Sequence, residues 1–186
     1  MSVIYGKQPD FTRPVLFLDF DDVINIFDER RDDLECGLRF EQIIVPRGTE
    51  NPHGNPISED RRLTFVFDEE IVARLRPLNA VWLTSWKGLT QKYQNPVLDT
   101  DFGYVEWSYR GLSDSGMYGK AAAIGEVVEE YGIKAFAVAD NCFEGVENLI
   151  DHHAGGAEHI VIAPPSYIGC GLTSDDLDRL EEFLAG

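Results

Sequence analysis

The amino-acid sequence predicts a three-layer α/β/α fold of the Rossmann-like kind, in which helices cover both faces of a central parallel sheet. Four short apolar runs lack the alternation of half-exposed strands, which is typical of strands buried on both faces. Segments with helical spacing of apolar residues lie between and after these runs, and this order favours a parallel sheet. The chain has 186 residues, of which 44% are hydrophobic, so we expect one domain spanning residues 1–186.

The predicted elements follow in chain order. Residues 1–13 are polar and are expected to form a loose lead-in. The predicted strands are residues 15–18, 80–83, 135–139 and 160–163. The predicted helices are residues 67–75, residues 119–131 and a last helix with Thr173 as its N-cap, whose inward side chains would be Leu177, Leu180, Phe183 and Leu184.

Two segments interrupt this rhythm. Residues 25–62 contain polar stretches and a loop rich in Gly, Asn and Pro, and residues 40–45 are expected to pair with residues 63–67 as a hairpin. We interpret residues 25–62 as a small insertion, a minimal cap over one end of the sheet, and not as a second domain. Residues 94–116 are expected to be irregular.

Charge and cysteine content limit the function classes. The net charge is −17, from 33 acidic and 16 basic residues, which argues against generic binding to duplex DNA or to an anionic membrane. A local pocket for one phosphate group remains compatible with it. Cys36, Cys142 and Cys170 form no CxxC pair, and the chain shows neither a signal-peptide pattern nor a membrane-spanning run, so we expect a reducing cytoplasm.

Polar residues suited to phosphate chemistry follow the predicted strands. Asp19 and Asp21 come after the first strand, Thr84 and Ser85 after the second, and Asp140 after the third, while Lys120 begins a helix. The carboxyl ends of parallel strands meet at one edge of the sheet, where ligands bind. Carboxylates bind Mg²⁺, one carboxylate can attack phosphorus, and a second can protonate the leaving oxygen. A lysine and a hydroxyl stabilise the phosphoryl oxygens.

This ordered set of residues resembles the four motifs of the haloacid dehalogenase (HAD) superfamily. Residues 15–23, VLFLDFDDV, resemble its first motif, and residues 81–85, VWLTS, resemble its second. Lys120 fits the third, and residues 138–141, VADN, resemble the fourth with Glu144 as the second acid. Residues 83–86, Asn95-Pro96, Pro165 and residues 171–173 are similar to small actinobacterial and phage HAD-like domains and to the HAD module of RNA-repair proteins.

The resemblance implies a Mg²⁺-dependent phosphatase that forms an aspartyl phosphate. Asp19 would be the nucleophile and a metal ligand, and Asp21 the general acid and base. The carbonyl of Phe20, or alternatively that of Asp21, would bind the metal. Asp140, supported by Glu144 or Asn141, would complete the metal site, whereas Thr84, Ser85 and Lys120 would bind the phosphoryl group. The substrate would be a phosphorylated small molecule, a nucleotide, or the phosphorylated end of a nucleic acid or protein.

Two departures leave an alternative open. Asp22 stands where many related phosphatases have glycine, and Asn141 stands where many have a second acid. The alternative is therefore a catalytically weak HAD-like binding or regulatory protein; a dehalogenase ranks well behind, because that reaction does not need this metal set.

Several single residues also have plain structural interpretations. Thr84 and Ser85 could cap a helix, Lys120 could be a surface lysine, and Glu144 could be a first-turn helix acid. His152, His153 and His159 are expected at the surface and not in a metal site. Trp86, Tyr104, Trp107 and Tyr109 could stack on a substrate ring but are expected to pack. The pairs Arg30-Arg31 and Arg61-Arg62 could contact phosphate but are expected to be solvated.

Overall fold

The structure is a computed structural model that describes residues 3–26, 38–51, 55–108, 116–165 and 171–186. The strands in these ranges are β1 (Ile4–Tyr5), β2 (Val15–Leu18), β3 (Leu38–Val45), β4 (Arg61–Asp68), β5 (Ala80–Trp82), β6 (Gly103–Val105), β7 (Ala135–Ala139) and β8 (Glu158–Ile162). The helices are α1 (Glu69–Leu75), α2 (Gln94–Leu98), α3 (Met117–Tyr131), α4 (Asn148–Asp151) and α5 (Ser174–Leu184), with short 3-10 helices at Lys87–Gln91 and Asn141–Phe143. None of the helices in the described ranges is long and apolar enough to cross a membrane.

The central sheet has the strand order β1-β6-β5-β2-β7-β8. Strands β6, β5, β2, β7 and β8 are parallel, and β1 pairs antiparallel with β6 at one edge. From β2 the chain proceeds outward to β5 and β6, and then returns to the other side of β2 to form β7 and β8. The strand order therefore reverses between β2 and β7, which is where ligands bind in open α/β sheets.

Alternating side chains of the buried strands pack on opposite faces of the sheet. In β2, Leu16 and Leu18 pack in the same apolar cluster as residues of α1 and α5. Val15 and Phe17 pack in a second cluster with residues of α3 and α4. The predicted mixed α/β architecture, with a mostly parallel sheet and helices on both faces, is thus confirmed.

The predicted elements are present with small shifts at their ends. Strand β5 is one residue shorter than expected, and β8 begins two residues earlier. The helix expected from residue 67 begins at Glu69, because the Asp68 side chain accepts hydrogen bonds from Glu70 and Ile71 as an N-cap. Phe67 is instead a fully buried member of β4. Thr173 caps α5 as predicted, with a reciprocal hydrogen bond to Asp176.

Two expectations about irregular segments were wrong in part. The lead-in contains β1, which pairs with β6. The segment 94–116 contains both α2 and β6, and a buried Asn95 links them. Its side chain accepts a hydrogen bond from Trp82 Nε1 at 2.7 Å and donates one to the Phe102 carbonyl at 2.9 Å. This order depends on long-range contacts that no local pattern reveals.

The predicted hairpin is present and is longer than expected. Strands β3 and β4 pair antiparallel from Leu38↔Asp68 to Val45↔Arg61. The hairpin therefore extends past the predicted pairing of residues 40–45 with 63–67, and its second strand crosses the predicted end of the insertion at residue 62. The Ile26 amide donates to the Val66 carbonyl at 2.7 Å. This bond joins β4 to the chain that leaves β2, which brings the hairpin beside the carboxyl end of the sheet.

Candidate active site

Asp19 and Asp140 lie side by side because their strands are paired. Leu18 in β2 is opposite Ala139 in β7, and the Asp19 amide continues the ladder by donating to the Ala139 carbonyl at 2.9 Å. Adjacent strands are about 4.8 Å apart, so the residue that follows each strand faces its counterpart. Both carboxylates therefore stand at the point where the strand order reverses.

Lys120 joins the two carboxylates. Its Nζ lies 2.7 Å from Oδ2 of Asp19 and 2.7 Å from Oδ2 of Asp140. All three side chains are buried, with relative exposures of 5% for Lys120, 6% for Asp19 and 0% for Asp140. We call these three residues the carboxylate–lysine cluster. Lys120 is thus not a surface lysine.

Backbone amides fix the other oxygen of each carboxylate. The Phe20 amide donates to Oδ1 of Asp19 at 2.8 Å, and the Cys142 amide donates to Oδ1 of Asp140 at 2.9 Å. Both carboxylates are therefore held in one orientation before any ligand binds, which lowers the entropic cost of using them.

The cluster has one more negative than positive charge when all three groups are ionised. Burial, with a smaller contribution from nearby Asp140, raises the pKa of Asp19 to about 7, although Lys120 acts in the opposite direction. Burial lowers the pKa of Lys120, but the two carboxylates outweigh it and hold that pKa above its ordinary value. Burial and Asp140 raise the pKa of the neighbouring Cys142 thiol, so it stays protonated.

Asp21 is held by two side-chain donors from different parts of the chain. Trp86 Nε1 donates to Oδ2 at 2.8 Å, and Asn25 Nδ2 donates to Oδ1 at 3.0 Å. Burial raises the pKa of Asp21, and these two hydrogen bonds offset part of that increase. A carboxyl group with a raised pKa is suited to donating and accepting a proton near neutral pH.

The turn after Asp19 decides which backbone carbonyl is available. The Phe20 carbonyl accepts hydrogen bonds from the amides of Ile24 at 2.9 Å and Asn25 at 2.8 Å. These two bonds occupy both lone pairs of the oxygen, which disfavours Phe20 as a metal ligand. The carbonyl of Asp21, the other predicted candidate, stays a prediction.

Asp22 occupies a position with left-handed backbone geometry. Its φ is 58°, a conformation that glycine adopts freely and that Asp and Asn tolerate better than other residues. The departure from glycine that the sequence shows here is therefore compatible with the turn. The side chain of Asp22 is partly exposed.

Thr84 and Ser85 lie at the carboxyl end of β5 in different surroundings. Thr84 is buried, and its Oγ1 accepts a long 3.4 Å hydrogen bond from the Trp86 amide. The Thr84 carbonyl accepts a 3.0 Å bond from Trp107 Nε1. Ser85 is half-buried and lines a cleft next to Asp21. Both residues thus border the site, and Thr84 also caps the turn that follows it.

Glu144 differs from the other predicted acids in its exposure. It is solvent-exposed at the end of the Asn141–Phe143 3-10 helix, whereas Asp140 at the start of that helix is fully buried. Glu144 therefore differs in burial from the carboxylate–lysine cluster that it was expected to support. Its role as a metal ligand stays a prediction.

A cleft adjoins Asp21 on the side of the hairpin. Its volume is about 260 Å³, and it lies between the inner face of β3–β4 with its connecting loop and the segment 85–89. Asp21 and Ser85 line it, so it opens directly beside the candidate general acid. No such concavity was predicted from the sequence.

The donor set fits a Mg²⁺ ion that binds few protein ligands. In the described ranges, no three His, Cys, Asp or Glu side chains are close enough together to form a metal centre by themselves. Mg²⁺ usually binds one or two carboxylates and completes its octahedron with water and substrate phosphate oxygens. Asp19, Asp140 and the Asp21 carbonyl are hard oxygen donors of this kind, and the two carboxylates share one cationic partner, Lys120.

Sequence reasoning missed one residue that positions the site and expected only packing from another. Asn25 is buried, donates to Asp21, and accepts a 2.9 Å bond from the Val66 amide, so it ties the site to the hairpin. Trp107 is 3% exposed and lies between Thr84 and Lys120, with Lys120 Nζ 5.9 Å from its ring centroid. Only the pairing of distant segments reveals these contacts.

The other single-residue expectations have mixed outcomes. Tyr104 stacks on Tyr5, in agreement with a packing role, whereas half-buried Trp86 lines the cleft. His159 pairs with Asp151 at 3.0 Å. Arg61 and Arg62 are exposed, and Arg61 borders the cleft. Arg30, Arg31, Cys36, Tyr109 and Cys170 lie outside the described residues.

Comparison with models of known protein families, with curated proteins and with solved structures found no match to this chain.

Proposed function

We propose that this protein is a Mg²⁺-dependent phosphatase of the HAD superfamily that hydrolyses a phosphomonoester through an aspartyl phosphate on Asp19. The observation that supports this most is the carboxylate–lysine cluster at the strand-order reversal, with Asp21 only two residues from Asp19. Asp21, which accepts hydrogen bonds from Asn25 and Trp86, would be the group that transfers the proton.

In the first half of the reaction, a carboxylate oxygen of Asp19 attacks the phosphorus atom. The bond between phosphorus and the leaving oxygen breaks, and Asp21 donates its proton to that oxygen. The leaving alcohol departs, and the phosphoryl group remains on Asp19. The raised pKa of Asp21, caused mainly by burial, favours the protonated form that this step requires.

In the second half, Asp21 accepts a proton from water, which attacks the same phosphorus atom. The bond between phosphorus and the Asp19 oxygen breaks, inorganic phosphate leaves, and Asp21 holds the proton again. Lys120 and Thr84 would stabilise the charge on the phosphoryl oxygens in both halves. Buried Lys120 stays charged throughout, because its carboxylate partners raise its pKa.

Mg²⁺ would be held by Asp19, Asp140 and the carbonyl of Asp21, and it supplies the positive charge that lets a phosphate approach this acidic site. Asp140 carries no reacting atom and acts as a ligand.

The alternative function is a catalytically weak binding or regulatory protein with the same fold. Two observations favour this alternative: residue 141 is Asn and not an acid, and Glu144 is exposed. Both leave fewer buried carboxylates beside Asp140 to hold a metal. The two functions differ in turnover and not in metal binding, so one assay separates them.

The test is phosphate release from an aryl phosphate, nucleoside monophosphates, 3′- and 5′-phosphorylated oligonucleotides and a phosphopeptide, with Mg²⁺ or with EDTA. Asp19→Asn is the reaction-deficient variant, and Asp151→Asn, an exposed acid paired with His159, is the matched control. The proposal predicts Mg²⁺-dependent turnover that Asp19→Asn abolishes and Asp151→Asn retains. Mg²⁺ binding without turnover of any substrate would favour the binding protein instead.

A further inference from the structure

We infer that the cleft beside Asp21 binds the leaving group of the substrate, and that this leaving group carries a planar aromatic ring close to its phosphoester oxygen. This inference rests on the proposed function only in taking a phosphoester as the group that reacts beside Asp21. The binding of the ring itself follows from the walls of the cleft.

The cleft is placed to receive a leaving group because of what lines its inner end. Asp21, the candidate proton donor to the leaving oxygen, is part of its wall, and Ser85 is beside it. Any group attached to that oxygen must leave the site in the direction of Asp21, and hence into the cleft.

The side walls of the cleft are mainly apolar. Val45 and Leu63 face it from the hairpin, Ile57 from the connecting loop, and Trp86 and Leu89 from the opposite side. Sugar or polyol hydroxyls would lose water against these walls without gaining hydrogen bonds, which is unfavourable. An apolar, flat group would instead gain the free energy of burial.

Trp86 provides a preformed aromatic wall. Its indole nitrogen donates to Asp21, and its ring contacts Phe65 with a centroid distance of 5.6 Å and Phe20 with one of 6.3 Å. The ring is therefore fixed on its inner side, whereas the rest of it is accessible from the cleft. A fixed aromatic face stacks on a ligand ring without an ordering cost.

Polar side chains of the hairpin and its loop also line the cleft, and they set the kind of ring. Thr49 offers a hydroxyl, and Glu50 and Arg61 offer one charge of each sign. Such groups can pair with the polar edge of a heteroaromatic ring, as in a nucleobase. The cleft volume of about 260 Å³ is large enough for one such ring.

The test compares two tryptophan substitutions on the same hairpin. Leu63→Trp fills the cleft from its inner face, whereas Ile44→Trp places the same side chain on the outer face, where Ile44 is 58% exposed. The substrates are an aryl phosphate, 3′- and 5′-nucleoside monophosphates, and glycerol phosphate, which has no ring. Binding of adenosine and of 4-nitrophenol, neither of which carries phosphate, is followed in parallel by ligand-detected NMR.

We expect kcat/KM for the best ring-bearing ester to exceed that for glycerol phosphate by at least about tenfold. Leu63→Trp should lower this ratio about tenfold, and Ile44→Trp should leave it within about twofold. Leu63→Trp should also abolish the NMR signal of ring binding. The relative rates of the aryl and nucleoside esters then identify the source of the ring.

Each outcome separates the two proposals. Phosphatase activity without ring preference, together with no binding of either ring compound, would overturn the inference and leave the proposed function intact. Ring binding that Leu63→Trp removes, but without turnover of any ester, would support the inference and contradict the proposed function. If Leu63→Trp does not fold, Leu89→Phe on the opposite wall replaces it, with the same expected loss of ring binding.

Discussion

The indole nitrogen of Trp86 donates a 2.8 Å hydrogen bond to the carboxylate of Asp21. The two residues are 65 positions apart, and each stands just after a strand of the central sheet. The bond connects the candidate proton donor to the wall of the substrate cleft. Under the proposed function, this bond couples proton transfer to the geometry of the cleft.

Trp86→Phe removes this donor and retains an aromatic ring. A hydrogen bond to a charged group contributes about 1.5–3 kcal/mol, so we expect kcat to fall roughly 10- to 100-fold. Because the bond favours the ionised form of Asp21, its loss should also raise the pKa of that group. The limb of the pH–rate profile that reports the general acid should move to higher pH. An unchanged profile would show that Asp21 is not the proton donor.

Lys120→Met leaves two buried carboxylates without their shared cation. We expect the free energy of unfolding at neutral pH to fall by about 3–5 kcal/mol, because an uncompensated buried charge is costly. Chemical denaturation measures this loss. Lys134→Met, at an exposed lysine that precedes β7, is the matched control and should change stability by less than about 0.5 kcal/mol. Equal effects of the two substitutions would argue against the buried cluster.

Asp19 should make the stability of the metal-free protein depend on pH. Its pKa is about 7 in the folded protein, against an ordinary value of 3.8. Between these values the folded state binds more protons than the unfolded state, so the free energy of unfolding falls as the pH rises. The contribution is present at low pH and is lost as the pH rises through 7.

Denaturation in EDTA at about pH 5 and about pH 8 measures this effect. The wild type should lose more stability than Asp19→Asn between the two conditions, since the amide does not titrate. Comparison with this variant removes the general effect of the net charge of −17. If the wild type and Asp19→Asn change equally, Asp19 has an ordinary pKa in the folded protein.

Asp22→Gly should be tolerated, and Asp22→Val should not. The φ of 58° costs a non-glycine residue about 1–2 kcal/mol, most of all a β-branched one. We expect Asp22→Gly to change stability by no more than about 1 kcal/mol, because glycine relieves strain but loses more chain entropy. Asp22→Val should destabilise the protein by about 1–2 kcal/mol, as thermal denaturation would show.

The sequence predicted the parts of the fold that local patterns determine. The apolar runs of β2 and β7 and the N-cap at Thr173 appear where expected, since burial on both faces and capping are local signals. Strands β1 and β6 were missed because both are short and each pairs with segments that are distant in the chain. The approach of Asp19, Asp140 and Lys120 was also anticipated, because strand ends converge in a parallel sheet.

The parts of the site that the sequence did not predict depend on the insertion. Asn25 acquires its role only when β4 presents the Val66 amide, and the cleft exists only between β3–β4 and the segment 85–89. No periodicity or spacing in the chain encodes these contacts.

The most direct test of the account is the identification of a phosphoryl group on Asp19. The protein would be mixed with an aryl phosphate and Mg²⁺, quenched with acid within milliseconds, digested and examined by mass spectrometry. The proposed mechanism predicts a phosphorylated peptide that contains Asp19, with the modification on that residue, and no such peptide in Asp19→Asn. Turnover without this intermediate, or phosphate on another residue, would contradict it.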